Sequence, residues 1–300
     1  MRMTWPIGCK AVSTWFSMNS IKRHAGLLFI LPGLMGFVLF YLLPFMVSVW
    51  YSFMSRPAGG EFVGLSNYID LLQSPAYRLG LRNTLVFMGL SVPLNMILSL
   101  IAAMLIKNTG RFKPHFVLIF LIPLVIPSGA MVFFWRMFFS SDGFLNNILS
   151  SLGFEGVNWL NSEYSMFTLL IIFVWKNLGF NLVLFLSGLS NVPKEYYEAA
   201  KTDGAGVLRT TISITLPCLM PITVIVLLMS IINSFKVFRE VYLLMGAYPN
   251  HSVYMLQHFM NNNFFSLNYP RLTSATTLLS AAMAVITWGL IWLERKASHD

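Results

Sequence analysis

The amino-acid sequence predicts an all-α membrane protein with six transmembrane helices, and three observations lead there. The 300 residues are 56% hydrophobic but only 10% charged, whereas a soluble domain carries about a quarter charged residues. The apolar residues gather into six runs, 27–53, 83–106, 116–138, 166–189, 214–235 and 272–293. Each reaches the roughly 20 residues that a helix needs to cross hydrocarbon, and only two of the chain's charges, Arg136 and Lys176, fall inside them. A soluble enzyme, a secreted disulfide scaffold and a nucleic-acid binder are excluded on these grounds.

The first run, 27–53, follows Lys22 and Arg23 as the apolar core of a signal peptide would. It is too long for that role and no small-residue cleavage site follows, so it is expected to remain as the first span. Prolines mark four spans: Pro32 and Pro44, Pro93, Pro123 and Pro127, and Pro217 and Pro221. Each removes a backbone donor and favours a kink, which lipid tolerates only where neighbours satisfy the freed carbonyls. The net charge of +9 is a topology signal. Segments 1–26, 107–115, 190–213 and 294–300 together hold twelve Lys and Arg, against six in the longer set 54–82, 139–165 and 236–271. Both termini are therefore placed in the cytoplasm. Cys9 and Cys218 then lie on or near the reducing side, and no disulfide is expected. A cytoplasmic segment 1–26, one membrane domain 27–293 and a tail 294–300 account for the chain.

The segment between spans 4 and 5, 190–213, is the most informative loop. Asn191 is suited to cap a helix, Pro193 to its first turn, and Glu195 to its positive end. Tyr197, Ala200 and Lys201 share a face, the small Ala199 and Ala200 permit close approach, and Asp203-Gly204 interrupts the helix. A helix-turn-helix on the cytoplasmic membrane surface is a docking device.

These residues resemble the EAA loop of permease subunits from binding-protein-dependent ABC importers. The match runs through Glu198, Ala199, Ala200, Asp203, Gly204 and Ala205, then Ile214, Leu216 and Pro217, and departs at Thr211, where a large apolar residue is usual. Further stretches, Phe62-Val63-Gly64-Leu65-Ser66-Asn67-Tyr68, Asn83-Thr84, Leu121-Ile122-Pro123 and Trp159-Leu160, are similar to the first permease subunit of maltose-type carbohydrate importers. The turn near Ala247-Tyr248-Pro249 is altered, since a Gly-Gly pair is usual there. The resemblance implies the type I ABC importer permease fold, with a coupling helix seated on an ATPase and alternating access to a midplane cavity. It implies a second homologous permease, two cytoplasmic ATPase subunits that bind ATP and Mg, an extracellular or periplasmic solute-binding protein, and a saccharide substrate, in a bacterial inner membrane. Glu198 is the expected polar anchor of the loop and Gly204 its tight turn.

No Gly-Lys dipeptide occurs, so the chain has no phosphate-cradling P-loop. No His-Glu-x-x-His or Gly-x-Ser-x-Gly occurs either, and neither catalytic nor metal-ligating residues are expected. Lys176 in mid-span 4 costs about 3 kcal/mol against lipid and must face a cavity or a partner. The six runs hold no Asp or Glu to pair with it. Two readings stand: Trp175, Lys176, Asn177 and Asn181 line the solute path, or Lys176 snorkels between helices or meets an acid on the partner permease. Aromatic faces stack on sugar C–H surfaces and amides bond hydroxyls, which suits a saccharide. Ser230, Asn233 and Ser234 form a polar stripe on span 5 that either glues helices or faces substrate. If Lys176 and Lys236 both face the path, a uronate-containing sugar becomes attractive. Arg136 is expected to snorkel outward among aromatics, and His251 and His258 to be solvated. The competing functions are an ion-coupled secondary transporter, which usually needs intramembrane carboxylates, and an ABC permease for a non-sugar solute.

Overall fold

The computed structural model describes residues 29–57 and 59–297. The N-terminal segment 1–26 with Cys9, and the last residues of the tail, lie outside the described residues. The helices are α1 (Phe29–Tyr51), α2 (Ser66–Gln73), α3 (Pro75–Lys107), α4 (Lys113–Val125), α5 (Ser128–Phe139) and α6 (Phe144–Ser151). They continue with α7 (Ser165–Asn191), α8 (Lys194–Thr202), α9 (Val207–Thr210), α10 (Met220–Lys236), α11 (Phe238–Met245), α12 (Leu256–Phe265) and α13 (Tyr269–Ala297). Among the described residues the β-structure is a single isolated bridge, Met54 to Phe62.

Five stretches are long and apolar enough to cross a membrane: α1, α3, α7, Met220–Met245 and Tyr269–Trp292. The remaining apolar run is broken. The run expected as one helix over 116–138 divides into Gly110–Val125 and Ser128–Ser151, which meet at 96°. Ile126 and Pro127 are both extended, because the proline ring clashes with a helical conformation at the residue before it. Two other prolines leave the helix running but change its pitch. π-Helical turns, Val38–Leu42 and Thr211–Thr215, stand just before Pro44 and Pro217. A wider turn accommodates the i−4 carbonyl that proline cannot satisfy.

Span 5 is longer than its apolar run. α10 passes through Val237 directly into α11, so the crossing continues to Met245 and the outer loop starts later than residue 236. Glu240 therefore lies inside a span, contrary to the expectation that the spans hold no carboxylate.

The core is a bundle of α3, α4, α7 and α10. Ala103, Leu182, Phe185, Leu189, Leu219 and Val226 fill the half nearer α8. Phe87 and Phe173 meet edge to face at 5.4 Å in the other half, beside Val241 and Val253. Close approach is permitted where a side chain is missing: a Cβ on Gly179 of α7 would sit 1.9 Å from the Phe120 carbonyl oxygen of α4. α1 packs on α13, and its large residues (Phe40, Tyr41, Trp50) are exposed, as hydrocarbon or a partner chain permits.

Three of the segments that carry the family resemblance anchor loops through polar groups. The Asn83 amide donates to the carbonyls of His251 and Tyr254 at 2.6 and 3.0 Å, and the Thr84 hydroxyl accepts from the Leu256 N–H at 2.9 Å. Asn67 donates to Ser52 and Met54 carbonyls, and the Trp159 indole N–H donates to Asn146 at 2.9 Å. Arg136 does not snorkel freely: its guanidinium donates to the Leu243 and Leu244 carbonyls at 3.2 Å each, tying α5 to the end of α11. Those carbonyls lie in the last turn and lack intrahelical donors.

His258 corrects the expectation of a solvated residue. It is fully buried at the start of α12, where Nδ1 accepts the Met255 N–H at 3.1 Å, and its ring lies 4.8 Å from that of Phe238. Burial pushes its pKa from 6.5 down to about 4. Below pH 6.5 the unfolded chain binds a proton that the folded chain takes up only near pH 4, so stability present at pH 7 falls as the pH drops through that window. Melting curves at pH 7.5 and 4.5 should show a larger loss for the parent chain than for His258→Phe. Equal losses would remove His258 as the cause.

Candidate functional site

A cavity of about 340 Å³ opens between α4, α7 and the α10–α11 crossing. Lys176 and Asn177 reach it from α7, Asn233 and Lys236 from α10, and Glu240 from α11, with Phe173, Phe180, Leu124 and Met229 as apolar walls. Lys176 Nζ forms an ion pair with Glu240 Oε1. Ser128, the first residue of α5, joins them: Nζ donates to its hydroxyl at 3.3 Å and that hydroxyl donates to Glu240 at 3.2 Å. The Glu240 side chain is 4% exposed and that of Lys176 21%. The break at 126–127 brings Ser128 here, because a straight third span would not turn its helix start toward α7. The N–H groups of that start carry partial positive charge, which favours the Glu240 carboxylate.

The structure brings together three of the seven residues expected in the path, Lys176, Asn177 and Asn233, and takes four away. Trp175 points from α7 onto Trp135 and Phe134, with ring centroids at 5.3 and 6.3 Å. Ile172, Phe173, Lys176, Asn177 and Phe180 form one face of α7, and at about 100° per residue Trp175 projects outside that face. Phe173 and Phe180 supply the aromatic walls instead. Asn181 donates to the Ser230 hydroxyl at 2.8 Å inside the α7–α10 contact, and the Ser234 hydroxyl turns back to the Ile231 carbonyl at 2.6 Å. Asn181 and Ser230 tie α7 to α10, while Ser234 bonds only its own helix. Lys176 finds its acid within this chain, at Glu240, which the sequence reading placed in an outer loop. The two free cations behind the uronate reading reduce to Lys236, whose Nζ donates to Asn233 Oδ1 at 3.1 Å.

On the face that the charge bias assigns to the cytoplasm, α8 lies between two grooves of about 510 and 570 Å³. Asn191 ends α7 and so does not cap α8, and Pro193 takes the N-cap position one residue before the first turn expected of it. The helix closes at its other end as a Schellman motif. Ala205 N–H bonds the Ala200 carbonyl at 2.9 Å, Gly204 N–H bonds the Lys201 carbonyl at 3.1 Å, and Gly204 has φ +72°. Ala200 is buried while Glu198, Ala199 and Asp203 are exposed. Glu198 lines the larger groove and Ala199 and Asp203 the smaller. Tyr197 mounts α8 on the bundle: Lys107 Nζ sits 4.4 Å from its ring centroid, and its hydroxyl is 3.3 Å from that of Thr215. The hydroxyl of Thr211 bonds the Val207 carbonyl of its own helix at 2.9 Å.

Gly204→Val is expected to strain the turn by about 1–2 kcal/mol, because a Cβ opposes positive φ. The variant should assemble normally but melt below the parent chain, and an unchanged melting temperature would show that the turn is not strained.

A polar cavity among the spans and a surface helix with exposed small residues are features that suit a membrane transport subunit. Residues 95–299 match the family described as binding-protein-dependent transport system inner membrane component, and the chain belongs to that family. It is 38% identical over 243 residues to the arabinooligosaccharides transport system permease protein AraP of Bacillus subtilis, covering 77% of this chain and 75% of that one. It is 33% identical over 278 residues to the trehalose/maltose transport system permease protein MalF of Thermococcus litoralis, covering 91% and 94%. The fold is similar to a chain of a bacterial ABC transporter that imports the acidic polysaccharide alginate, with a TM-score of 0.81 at 22% identity over 93% of this chain and 98% of that one. A second structure of such a transporter, in complex with an alginate pentasaccharide-bound periplasmic protein, gives the same TM-score and covers 96% of its chain. The fold is thus that of ABC importer permeases, and the chain is a multi-pass inner-membrane permease component.

Proposed function

We propose that this chain is one permease subunit of an ATP-driven importer for a sugar or oligosaccharide, working by alternating access. The observation that carries the reading is the composition of the intramembrane cavity. Amides and a lysine sit between Phe173 and Phe180, which suits hydroxyls on one side and C–H faces on the other. Relatives named for arabinooligosaccharide and trehalose/maltose transport favour the same substrate class. In this reading a solute-binding protein delivers the sugar from outside, and a second, homologous permease completes the path. Two cytoplasmic ATPase subunits, which hold the ATP and Mg, seat α8 through Glu198, Ala199, Ala200, Asp203, Gly204 and Ala205.

The test is to tag the chain, purify it gently from its native membrane and identify what comes with it. Uptake of labelled arabinooligosaccharides, maltose and trehalose is then measured with and without vanadate. Recovery with a second permease and an ATPase, together with vanadate-sensitive uptake of one of these sugars, is expected. Recovery of the chain alone, with vanadate-insensitive uptake, would favour an ion-coupled carrier.

A further inference from the structure

The cavity lining holds three charged groups, Lys176, Lys236 and Glu240. Glu240 is 3% exposed, so it contributes little surface of its own to a solute. What it does is hold Lys176: Nζ is engaged by Glu240 Oε1 and by the Ser128 hydroxyl, which occupies two of the three ammonium donors. The carboxylate in turn accepts from the Ser128 hydroxyl at 3.2 Å. The cavity therefore presents one cation that no carboxylate balances, Lys236, at its edge, and amides and phenyl rings over the rest. A polyuronate chain would bring one negative charge per residue into this space and find Lys176 already neutralised by Glu240.

We infer that Glu240 is a specificity-determining residue, which cancels Lys176 and sets the path for uncharged saccharides. This rests on the reading of the cavity as the sugar path. Removing the carboxylate while keeping its shape frees a lysine in a low-dielectric space, where an opposite charge is strongly attracted. Loss of this one side-chain charge is expected to move the preference from neutral to acidic sugar.

The experiment uses the complete transporter purified without its solute-binding protein, so that the delivery step does not filter the ligands. Maltotriose and trigalacturonate are titrated calorimetrically into the parent complex and into Glu240→Gln and Glu240→Asp. The parent and Glu240→Asp should favour maltotriose. Glu240→Gln should shift the ratio of affinities toward trigalacturonate by at least about tenfold, and salt should weaken the shift. Adding Lys176→Met to Glu240→Gln should abolish it, which separates a charge effect from a loosened fold. Should Glu240→Gln fail to assemble, the paired replacement Lys176→Met with Glu240→Leu tests the same idea. It removes both charges, so the preference for maltotriose should persist although both affinities fall. Binding of both sugars with an unshifted ratio in Glu240→Gln, or a reversed ratio in the paired replacement, overturns the role of Glu240 and leaves the sugar path standing. If no form binds either sugar, the sugar path itself fails and the inference with it.

Discussion

Gly179→Ala is expected to prevent assembly of the membrane domain. The added Cβ would lie 1.9 Å from the Phe120 carbonyl oxygen, 2.5 Å from the Phe120 carbonyl carbon and 3.1 Å from the Leu121 nitrogen. All three are backbone atoms of α4, which have no rotamer into which to retreat. α4 and α7 would have to separate, and the Leu124 wall of the cavity would move with them. Overpacking usually costs about 1–3 kcal/mol, and a backbone clash this deep belongs at or beyond the upper end. Two comparisons calibrate the result. Gly188→Ala would meet the Leu219 Cδ2 at 2.7 Å and Ile222 Cγ1 at 3.0 Å, side-chain atoms that yield by rotation. Gly129→Ala meets nothing within 4 Å. Yield of monodisperse protein and melting temperature should rank Gly129→Ala above Gly188→Ala, and Gly188→Ala well above Gly179→Ala. A Gly179→Ala protein that melts like Gly129→Ala would contradict the α4–α7 contact.

Lys176→Met should be nearly as damaging. It leaves the Glu240 carboxylate, 4% exposed, without its cation inside a membrane span. Breaking a buried pair from one side costs about 3–5 kcal/mol, whereas replacing both partners with apolar groups is often neutral. The paired replacement Lys176→Met with Glu240→Leu should therefore recover most of the stability lost by either single change. A double-mutant cycle on melting temperature measures this, and additive single effects would mean that the two residues do not interact. Arg136 gives a contrast: its bonds are to carbonyls and it is exposed, so Arg136→Gln should cost far less.

Much of this architecture is legible in the chain. The second, fourth and sixth runs, 83–106, 166–189 and 272–293, lie within α3, α7 and α13. Hydropathy succeeds there because a helix needs no partner to satisfy its backbone in lipid. The turn at Gly204 was legible for a similarly local reason, since glycine alone takes positive φ without strain. Two boundaries were misread. Pro127 carried a signal for the break at 126–127, but an apolar run does not register direction. Lys236, Arg239 and Glu240 ended the fifth run because each charge counts as a cost against lipid. The helix nonetheless continues, since Glu240 faces Lys176 and the cavity rather than lipid.

The candidate site divides along the same line. Residue types named it: a lone lysine and amides in apolar spans must face something other than hydrocarbon. Which of them share a space depends on rotation about the helix axis, at about 100° per residue. Ser230 turns toward α7 and Ser234 toward Thr84 and Phe87 of α3, while Asn233 turns to the cavity, although spacing alone set all three on one stripe. The identity of the acid opposite Lys176 required helices 64 residues apart in sequence to be brought together. Composition and periodicity determined the membrane class, the spans and the surface helix, because those follow from local burial in lipid and from backbone geometry. The charge of the cavity was decided only by tertiary packing, because an ion pair between distant spans leaves no trace in the order of residues.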